Sequence, residues 1–174
     1  MGYIYIVSFG DVEDRLLLAD ASNVKEIFDL EVRVSTVKAD IEEAYNPQRN
    51  QYHAGTILSY LSRVVYPDMV RLVALVSFDL YEEGLNFVFG EAQYGGKYAV
   101  VSTYRLYHPD ERVFFERVFK ETNHELGHTF GLKHCPDPYC VMSFSNSIDE
   151  VDRKSRDFCP NCRRKLDYVL SYYR

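Results

Sequence analysis

Residues 124–134 read HELGHTFGLKH and contain three of the five histidines of this 174-residue chain. His124 and His128 are four positions apart, so on a helix their side chains lie one turn apart on the same face. Two imidazoles at this spacing can bind one metal ion, and zinc at a catalytic site takes three protein ligands. His134 is the candidate third ligand. The segment therefore predicts a catalytic zinc site.

The third histidine can reach that metal only if the helix ends before it. In a continuous helix His134 would lie about 15 Å along the axis from His124, at 1.5 Å per residue. Gly131 stands between the second and third histidines, and glycine is the preferred residue for the left-handed conformation that ends a helix. We therefore expect a bend at Gly131 that brings His134 back to the metal.

Glu125 directly follows the first histidine. Its carboxylate can accept a proton from a water molecule that zinc has made more acidic, and can pass the proton to a leaving amine. These are the steps of peptide hydrolysis, with Glu125 as general base. Chance would place HExxHxxGxxH in a chain of this composition with odds on the order of one in a hundred thousand. A metal site is therefore favoured over three unrelated histidines on a helix surface.

Four cysteines follow the histidines, Cys135 and Cys140 as one pair and Cys159 and Cys162 as a CxxC pair. The N-terminal residues do not form a secretory signal, which predicts a cytoplasmic location, where clustered cysteines are more often metal ligands than disulfides. A redox CxxC or two disulfides are the alternatives, although no thioredoxin-like context surrounds the pair. A structural zinc ion on the four thiolates would supply folding free energy to a segment, 131–162, that is poor in apolar residues.

Together these residues resemble the signature of the metzincins, a clan of zinc peptidases. The run HExxHxxGxxHC-x4-C-x-M, followed by CxxC, is similar to one branch of that clan, the archaemetzincins. Met142 stands where the family has its Met-turn, whose methionine forms an apolar floor beneath the metal. Phe144 stands where some metzincins have a tyrosine that reaches the zinc. We therefore expect no tyrosine ligand, and another group must stabilise the oxyanion.

The resemblance implies a metzincin-like α/β (α+β) fold, with residues 1–174 forming a single metallopeptidase domain. An upper subdomain, 1–130, would contain a mixed, twisted sheet, helices and the active-site helix. A lower subdomain, 131–174, would be small and irregular and would contain the Met-turn and the cysteine site. The resemblance also implies two zinc ions per chain, a catalytic one on the histidines and a structural one on the cysteines.

The resemblance further implies that a peptide or protein substrate pairs with an edge strand of the sheet, which we place near residues 86–92. The sequence leaves open whether such an enzyme cuts internally or trims chain ends. The alternative function is a weakly active or non-catalytic zinc protein that binds a partner through its cysteine lobe. Neither the substrate nor the oligomeric state can be predicted.

Hydrophobic periodicity in the rest of the chain predicts the elements that position these residues. Strands are expected at 3–9, 32–36, 71–79, 86–92 and 98–104. Helices are expected from about residue 57 to Pro67, from an N-cap at Asp110 to about Phe130, and near the C-terminus through Leu166 and Leu170. The long helix is expected to direct Phe115, Phe119, Thr122 and Leu126 into the core.

Composition limits the class of protein. Hydrophobic residues make up 47% of the chain and charged residues 26%, as in globular proteins. The net charge of −6 argues against a nucleic-acid-binding surface, which is usually basic. No apolar run is long enough to cross a membrane.

Five other polar residues are weaker candidates for the site. His108, just before the long helix, could approach the cleft but better fits a solvated loop, and His53 is expected on the polar surface at a helix start. Arg117 and Glu121 share the helical face of the first histidine, and they either line the cleft, orient a ligand or form a surface ion pair. Lys133 could meet a substrate carboxylate.

Overall fold

The structure is a computed structural model that describes residues 2–174. The strands are β1 (Tyr3–Phe9), β2 (Glu31–Val37), β3 (Tyr45–Asn46), β4 (Gln51–His53), β5 (Met69–Val76), β6 (Leu80–Tyr81), β7 (Gly90–Ala92) and β8 (Tyr98–Ser102). The helices are α1 (Asp14–Phe28), α2 (Ala54–Leu61), α3 (Glu111–Thr129), α4 (Ile148–Arg153) and α5 (Pro160–Leu170), with a short 3-10 helix at Glu42–Ala44. Among these elements, no helix has the length and apolarity that a membrane crossing needs.

Five strands form the main sheet in the order β2-β1-β5-β8-β7. The first four strands are parallel to one another, and β7 runs antiparallel to β8 at one edge. A second, three-stranded sheet has the order β3-β4-β6. The mixed sheet in an α/β fold is as predicted.

Successive side chains of the central strands point to opposite faces of the sheet, and both faces are covered. Ile6 and Val73 lie in the apolar cluster with α1 and α3, whereas Val7 and Leu72 lie in the cluster with α2. This double coverage explains why β5 reads as a continuous apolar run rather than an alternating one.

The long helix α3 passes through the protein interior. Asp110 caps it by accepting a hydrogen bond from the Arg112 backbone N–H, as predicted. The expected core face was only partly right, because Thr122 and Leu126 are fully buried but Phe115 and Phe119 are half-buried. Nearly every residue of the second half is buried, and His128 is the half-buried exception.

The chain beyond the bend at Gly131 packs on the same core as the sheet. Val141, Met142, Leu166 and Leu170 are fully buried within the apolar cluster that includes residues of β1 and β5. The C-terminal helix α5 was predicted. The helix α4 was not, since its segment lacks apolar periodicity.

Other boundaries differ from the predictions. The helix α2 ends at Leu61, before the expected stop at Pro67, and β5 begins and ends earlier than 71–79. Only Gly90–Ala92 of the expected strand 86–92 joins the main sheet, because Val88 forms an isolated bridge with Leu80 instead.

Candidate metal centres

The helix α3 ends in a bend that explains how the third histidine returns to the other two. Gly131 has a φ of 92°, and its backbone N–H donates to the His128 carbonyl at 3.0 Å. The Leu132 N–H donates to the Gly127 carbonyl at 3.0 Å. This pair of hydrogen bonds is a Schellman motif, in which the residue after the C-cap is left-handed.

The three histidines lie together at this end of α3. Ring centroids are 4.7 Å apart for His124 and His128, and His134 lies 5.3 Å and 4.8 Å from them. One ring nitrogen from each residue lies within 4.8 Å of the other two. The cluster can therefore surround a single ion.

Two carbonyl groups orient the helical histidines. Nδ1 of His124 lies 2.7 Å from the Val141 carbonyl oxygen, and Nδ1 of His128 lies 2.8 Å from that of Leu132. A carbonyl can only accept, so both Nδ1 atoms carry the proton and both Nε2 atoms present a lone pair. Metal-bound histidines are commonly held in this way.

The chemistry of this donor set fits a zinc ion. The two Nε2 atoms face each other at 3.1 Å, and two lone pairs at that distance repel unless a cation lies between them. Zinc–nitrogen bonds of 2.0–2.1 Å would place two tetrahedral ligand atoms about 3.3 Å apart. The observed separation is close to that value.

Burial sets the protonation of the site. It lowers the pKa of His124 and His128, and partial burial lowers that of the more exposed His134; the positive charge of Lys154 adds to the effect in each case. The neutral imidazole, which is the metal-binding form, is therefore favoured. Burial also raises the pKa of Glu125 well above its ordinary value; Glu121 adds to this rise and Lys154 opposes it.

Met142 lies in a tight turn beneath the histidine motif. The turn is closed by a hydrogen bond of 2.9 Å from the Ser143 N–H to the Cys140 carbonyl. Met142 is fully buried, and a Cβ added to Gly127 would lie 2.5 Å from its sulfur. The methionine therefore packs directly on the helix between the first two histidines. Phe144, two residues on, packs edge-on against the His134 ring at 5.3 Å.

The four cysteines form a second cluster. The sulfur atoms of the four residues all lie within 4.8 Å of one another, and all four are free thiols. The residues are Cys135, Cys140, Cys159 and Cys162. The Cys135 and Cys159 sulfurs are 3.8 Å apart. Zinc–sulfur bonds of about 2.3 Å place tetrahedral sulfurs about 3.8 Å apart, whereas a disulfide needs about 2.05 Å.

Backbone N–H groups point at these sulfurs. Cys140 Sγ accepts from the N–H groups of Met142 at 3.4 Å and Cys159 at 3.3 Å, and Cys159 Sγ accepts from that of Cys162 at 3.4 Å. Hydrogen bonds of this kind stabilise a thiolate. Burial, in contrast, raises the pKa of Cys140 and Cys162, and a bound cation would offset that cost for the thiolate forms.

The histidine cluster opens on a cleft of about 340 Å³. Glu125 and Glu121 line it from α3, the edge strand β7 lines it opposite, and Phe144 to Asn146 line it beyond His134. A Cβ added to Gly90 would lie 3.1 Å from the Glu125 carboxylate, so the glutamate lies against the edge strand. A substrate on that edge would contact Glu125.

The weaker candidates take different places. His108 accepts from the Asp110 N–H at 2.9 Å, and His53 is not plain surface because its Nε2 lies 2.6 Å from Glu82. Arg117 and Glu121 form no surface ion pair: Arg117 is buried against Asp152, whereas Glu121 lines the cleft. Lys133 is exposed and is not among the residues that line the cleft.

Three residues near the site were missed. Gly90 and Gly127 allow close approaches to Glu125 and Met142, and a glycine inside a strand or helix pattern is a signal for such contacts. Lys154 was not singled out at all. Its side chain is fully buried between Glu121 and the Ser143 carbonyl.

Comparisons with known proteins agree on one family. The model described as peptidase family M54 matches residues 15–168. The archaemetzincin of Pyrococcus furiosus is 41% identical over 180 residues, covering 96% of this chain and 93% of its own.

Solved structures point to the same family. The crystal structure of archaemetzincin from Methanopyrus kandleri superposes with a TM-score of 0.89 at 44% identity, covering 98% of this chain and 96% of its own. A zinc-dependent peptidase from Methanocorpusculum labreanum has a TM-score of 0.82 at 28% identity, covering 94% and 99%.

Proposed function

Because this chain belongs to peptidase family M54, the archaemetzincins, and is thus a zinc metallopeptidase, we propose that its histidine cluster holds the catalytic zinc and that Glu125 is the general base. The ligands are His124, His128 and His134. Peptides or proteins are the substrates of this family. The proposal rests on the distance of 3.1 Å between the Nε2 atoms of His124 and His128. Their lone pairs face each other beside the buried carboxyl group of Glu125.

A zinc ion at such a site supplies a Lewis acid that acidifies water and polarises a carbonyl group. Glu125 would accept a proton from the attacking water and deliver it to the leaving amine. The buried position of Glu125 excludes bulk water, which strengthens its electrostatic interactions with the reacting groups. Phe144 has no hydroxyl group, so it cannot donate a hydrogen bond to the oxyanion.

We also propose that the substrate backbone pairs with the outer edge of β7. The Ser102 N–H donates to the Phe89 carbonyl and the Gln93 N–H to the Tyr98 carbonyl. Because hydrogen-bonded pairs alternate in an antiparallel ladder, Gly90 directs its backbone N–H and C=O away from β8. Ala92 does the same, so these two residues offer the groups that an added strand needs.

We propose a second, structural zinc ion on the four cysteines. The 3.8 Å sulfur separation and the N–H groups directed at sulfur support this ion. The segment 131–174 would then be a lower subdomain, held by the ion and by the buried residues it shares with the main core. Reduced, metal-binding cysteines also favour the cytoplasm as the compartment.

Metal analysis of variants tests this assignment. The wild-type protein should hold two zinc ions, His124→Ala should hold one, and Glu125→Ala should hold two but cleave no peptide. Glu111→Ala, an exposed glutamate on the same helix, is the matched control and should cleave like the wild type. Cleavage that survives Glu125→Ala would contradict the general-base role. A wild-type protein that holds two zinc ions but cuts no peptide would favour the partner-binding alternative.

A further inference from the structure

Lys154 is a charged residue buried beneath the cleft. It follows α4, and its side chain is 0% exposed. Its Nζ lies 3.4 Å from a carboxylate oxygen of Glu121 and 3.3 Å from the Ser143 carbonyl. An ammonium group without water must be compensated by such partners. The positions of Glu121 and Ser143 therefore indicate which parts of the protein the charge of Lys154 connects.

The two partners belong to different parts of the site. Glu121 is on α3, one turn before Glu125, and its side chain is 3% exposed. Ser143 closes the turn around Met142, and the next residue is Phe144, whose ring packs on His134. The ammonium of Lys154 thus joins the helix that carries the general base to the segment that borders the third histidine.

We propose that Lys154 and Glu121 are a pair of positioning residues for the peptidase reaction. Through them the cleft wall formed by residues 144–146, which directly follows Ser143, is held at a set distance from Glu125. The inference rests on the proposed function of the histidine site. The pair acts by fixing the geometry of the cleft and not by contact with the substrate.

Stability alone is a weak reason for this ion pair. Replacing a buried ion pair by apolar or neutral groups of similar size is often neutral or stabilising, whereas removing one partner leaves an uncompensated charge. A second lysine provides the contrast. Lys120 is also buried, but its Nζ donates only to the carbonyls of Val151 and Asp152, away from the cleft. It joins α3 to α4 without touching a cleft wall.

Neutralising the pair as a whole separates positioning from folding. Lys154→Met alone leaves Glu121 buried and unpaired, and should lower the melting temperature. The double variant Lys154→Met/Glu121→Gln should recover that temperature and bind two zinc ions. Its kcat should still be about tenfold to a hundredfold below wild type, the usual effect of losing a partner behind a metal site, with KM changed much less. Lys154→Arg, which keeps the charge, should recover part of the lost kcat.

Lys120→Met is the matched control. It removes a buried lysine from the same helix interface, so it should lower the melting temperature but leave kcat near the wild-type value. If the double variant regains both its melting temperature and its kcat, the pair is merely structural and the inference is wrong. A kcat in Lys120→Met that falls as far as in Lys154→Met would also overturn it.

A spectroscopic measurement keeps this inference separate from the proposed function. Cobalt(II) bound at the histidine site should give absorption bands that differ between wild type and the double variant but not between wild type and Lys120→Met. If the wild-type protein cleaves no peptide, the proposed function fails while the cobalt spectra still test the positioning role. Identical bands in wild type and the double variant would then overturn it.

Discussion

The histidine cluster and the cysteine cluster are built in different ways. Two histidines lie on the buried half of α3, and carbonyl groups fix their rings. The cysteines lie on turns between residues 135 and 162, and only Cys162 is inside a helix. Regular structure positions two ligands of the first site, whereas in the second site the proposed ion would hold the loops together.

Residues 140–142 connect the two sites. The carbonyl that orients His124 belongs to Val141, which follows Cys140 directly. The Cys135 N–H donates to the Met142 carbonyl at 3.0 Å. The cysteine loops therefore contact the histidine site. We expect the dependence to run mainly from the cysteines to the histidines, because α3 is buried along its second half whereas the cysteines lie mostly on turns.

Removing the cysteine site should have the largest effect. In Cys159→Ser/Cys162→Ser the structural ion is lost, and with it folding free energy that we expect to exceed about 4 kcal/mol. The zinc affinity of the histidine site should also fall, because Val141, whose carbonyl group orients His124, is no longer held. Urea unfolding and metal titration measure the two effects.

The reverse experiment is the control. His128→Ala should lose the catalytic ion but keep the structural one, with a far smaller loss of unfolding free energy. If the cysteine variant bound catalytic zinc with wild-type affinity, the two sites would be independent and the asymmetry would be wrong.

The sequence predicted the parts of the site whose chemistry restricts residue type and spacing. A zinc ion requires histidines or cysteines at a few permitted distances, and a bend requires a residue that tolerates positive φ. The histidine motif, Gly131 and the cysteine pairs were found for that reason. The long helix was found because Asp110 caps it and its apolar residues recur at helical spacing.

Other features depend on packing that the sequence pattern obscures. No helix was predicted at the position of α1. Its core face contains two polar residues, Asp20 and Asn23, which form hydrogen bonds with Thr122 and Asn123 of α3. Lys154 stands in a polar stretch where a lysine is normally solvated. The edge strand β7 is short because Val88 bridges another strand, which only the tertiary arrangement decides.

The packing of α1 on α3 should make the histidine helix sensitive to pH. Asp20 is fully buried, and burial raises its pKa to about 7, against hydrogen bonds from Thr122 and Asn23 and the charge of Arg156. A raised pKa means that the folded state prefers the neutral carboxyl. The stability from this group is therefore full below about pH 4 and lost as the pH rises to about 7, at roughly 1.4 kcal/mol per pKa unit as an upper limit.

Asp20→Asn should remove this pH dependence. Urea midpoints measured at pH 5 and pH 8 should differ less in the variant than in the wild type, with the variant gaining stability relative to wild type at pH 8. An unchanged difference between the two pH values would show that Asp20 is not neutral in the folded protein.

Crowding between the helix and the Met142 turn predicts a smaller effect. In Gly127→Ala the new methyl group would meet the Met142 sulfur at 2.5 Å, so the turn must shift. Overpacking of this kind costs about 1–3 kcal/mol. Met142→Ala removes the atom that the methyl group meets, so the double variant should lose less unfolding free energy than the two single losses added together. Additive losses would mean that the two residues do not contact.

Substitution of Gly131 should give the smallest loss of unfolding free energy, because only the backbone conformation opposes a side chain there. With φ at 92° and no heavy atom within 4 Å of an added Cβ, Gly131→Ala meets no clash. It should lose about 1–2 kcal/mol of unfolding free energy, the cost of a left-handed conformation with a Cβ. Gly131→Asn should lose less, since asparagine tolerates this region better than alanine. Zinc affinity at the histidines should fall in the same order, because the bend is what brings His134 to the ion. A loss of zinc affinity in Gly131→Ala without any loss of stability would show that the bend has a direct effect on the ligand rather than a conformational cost.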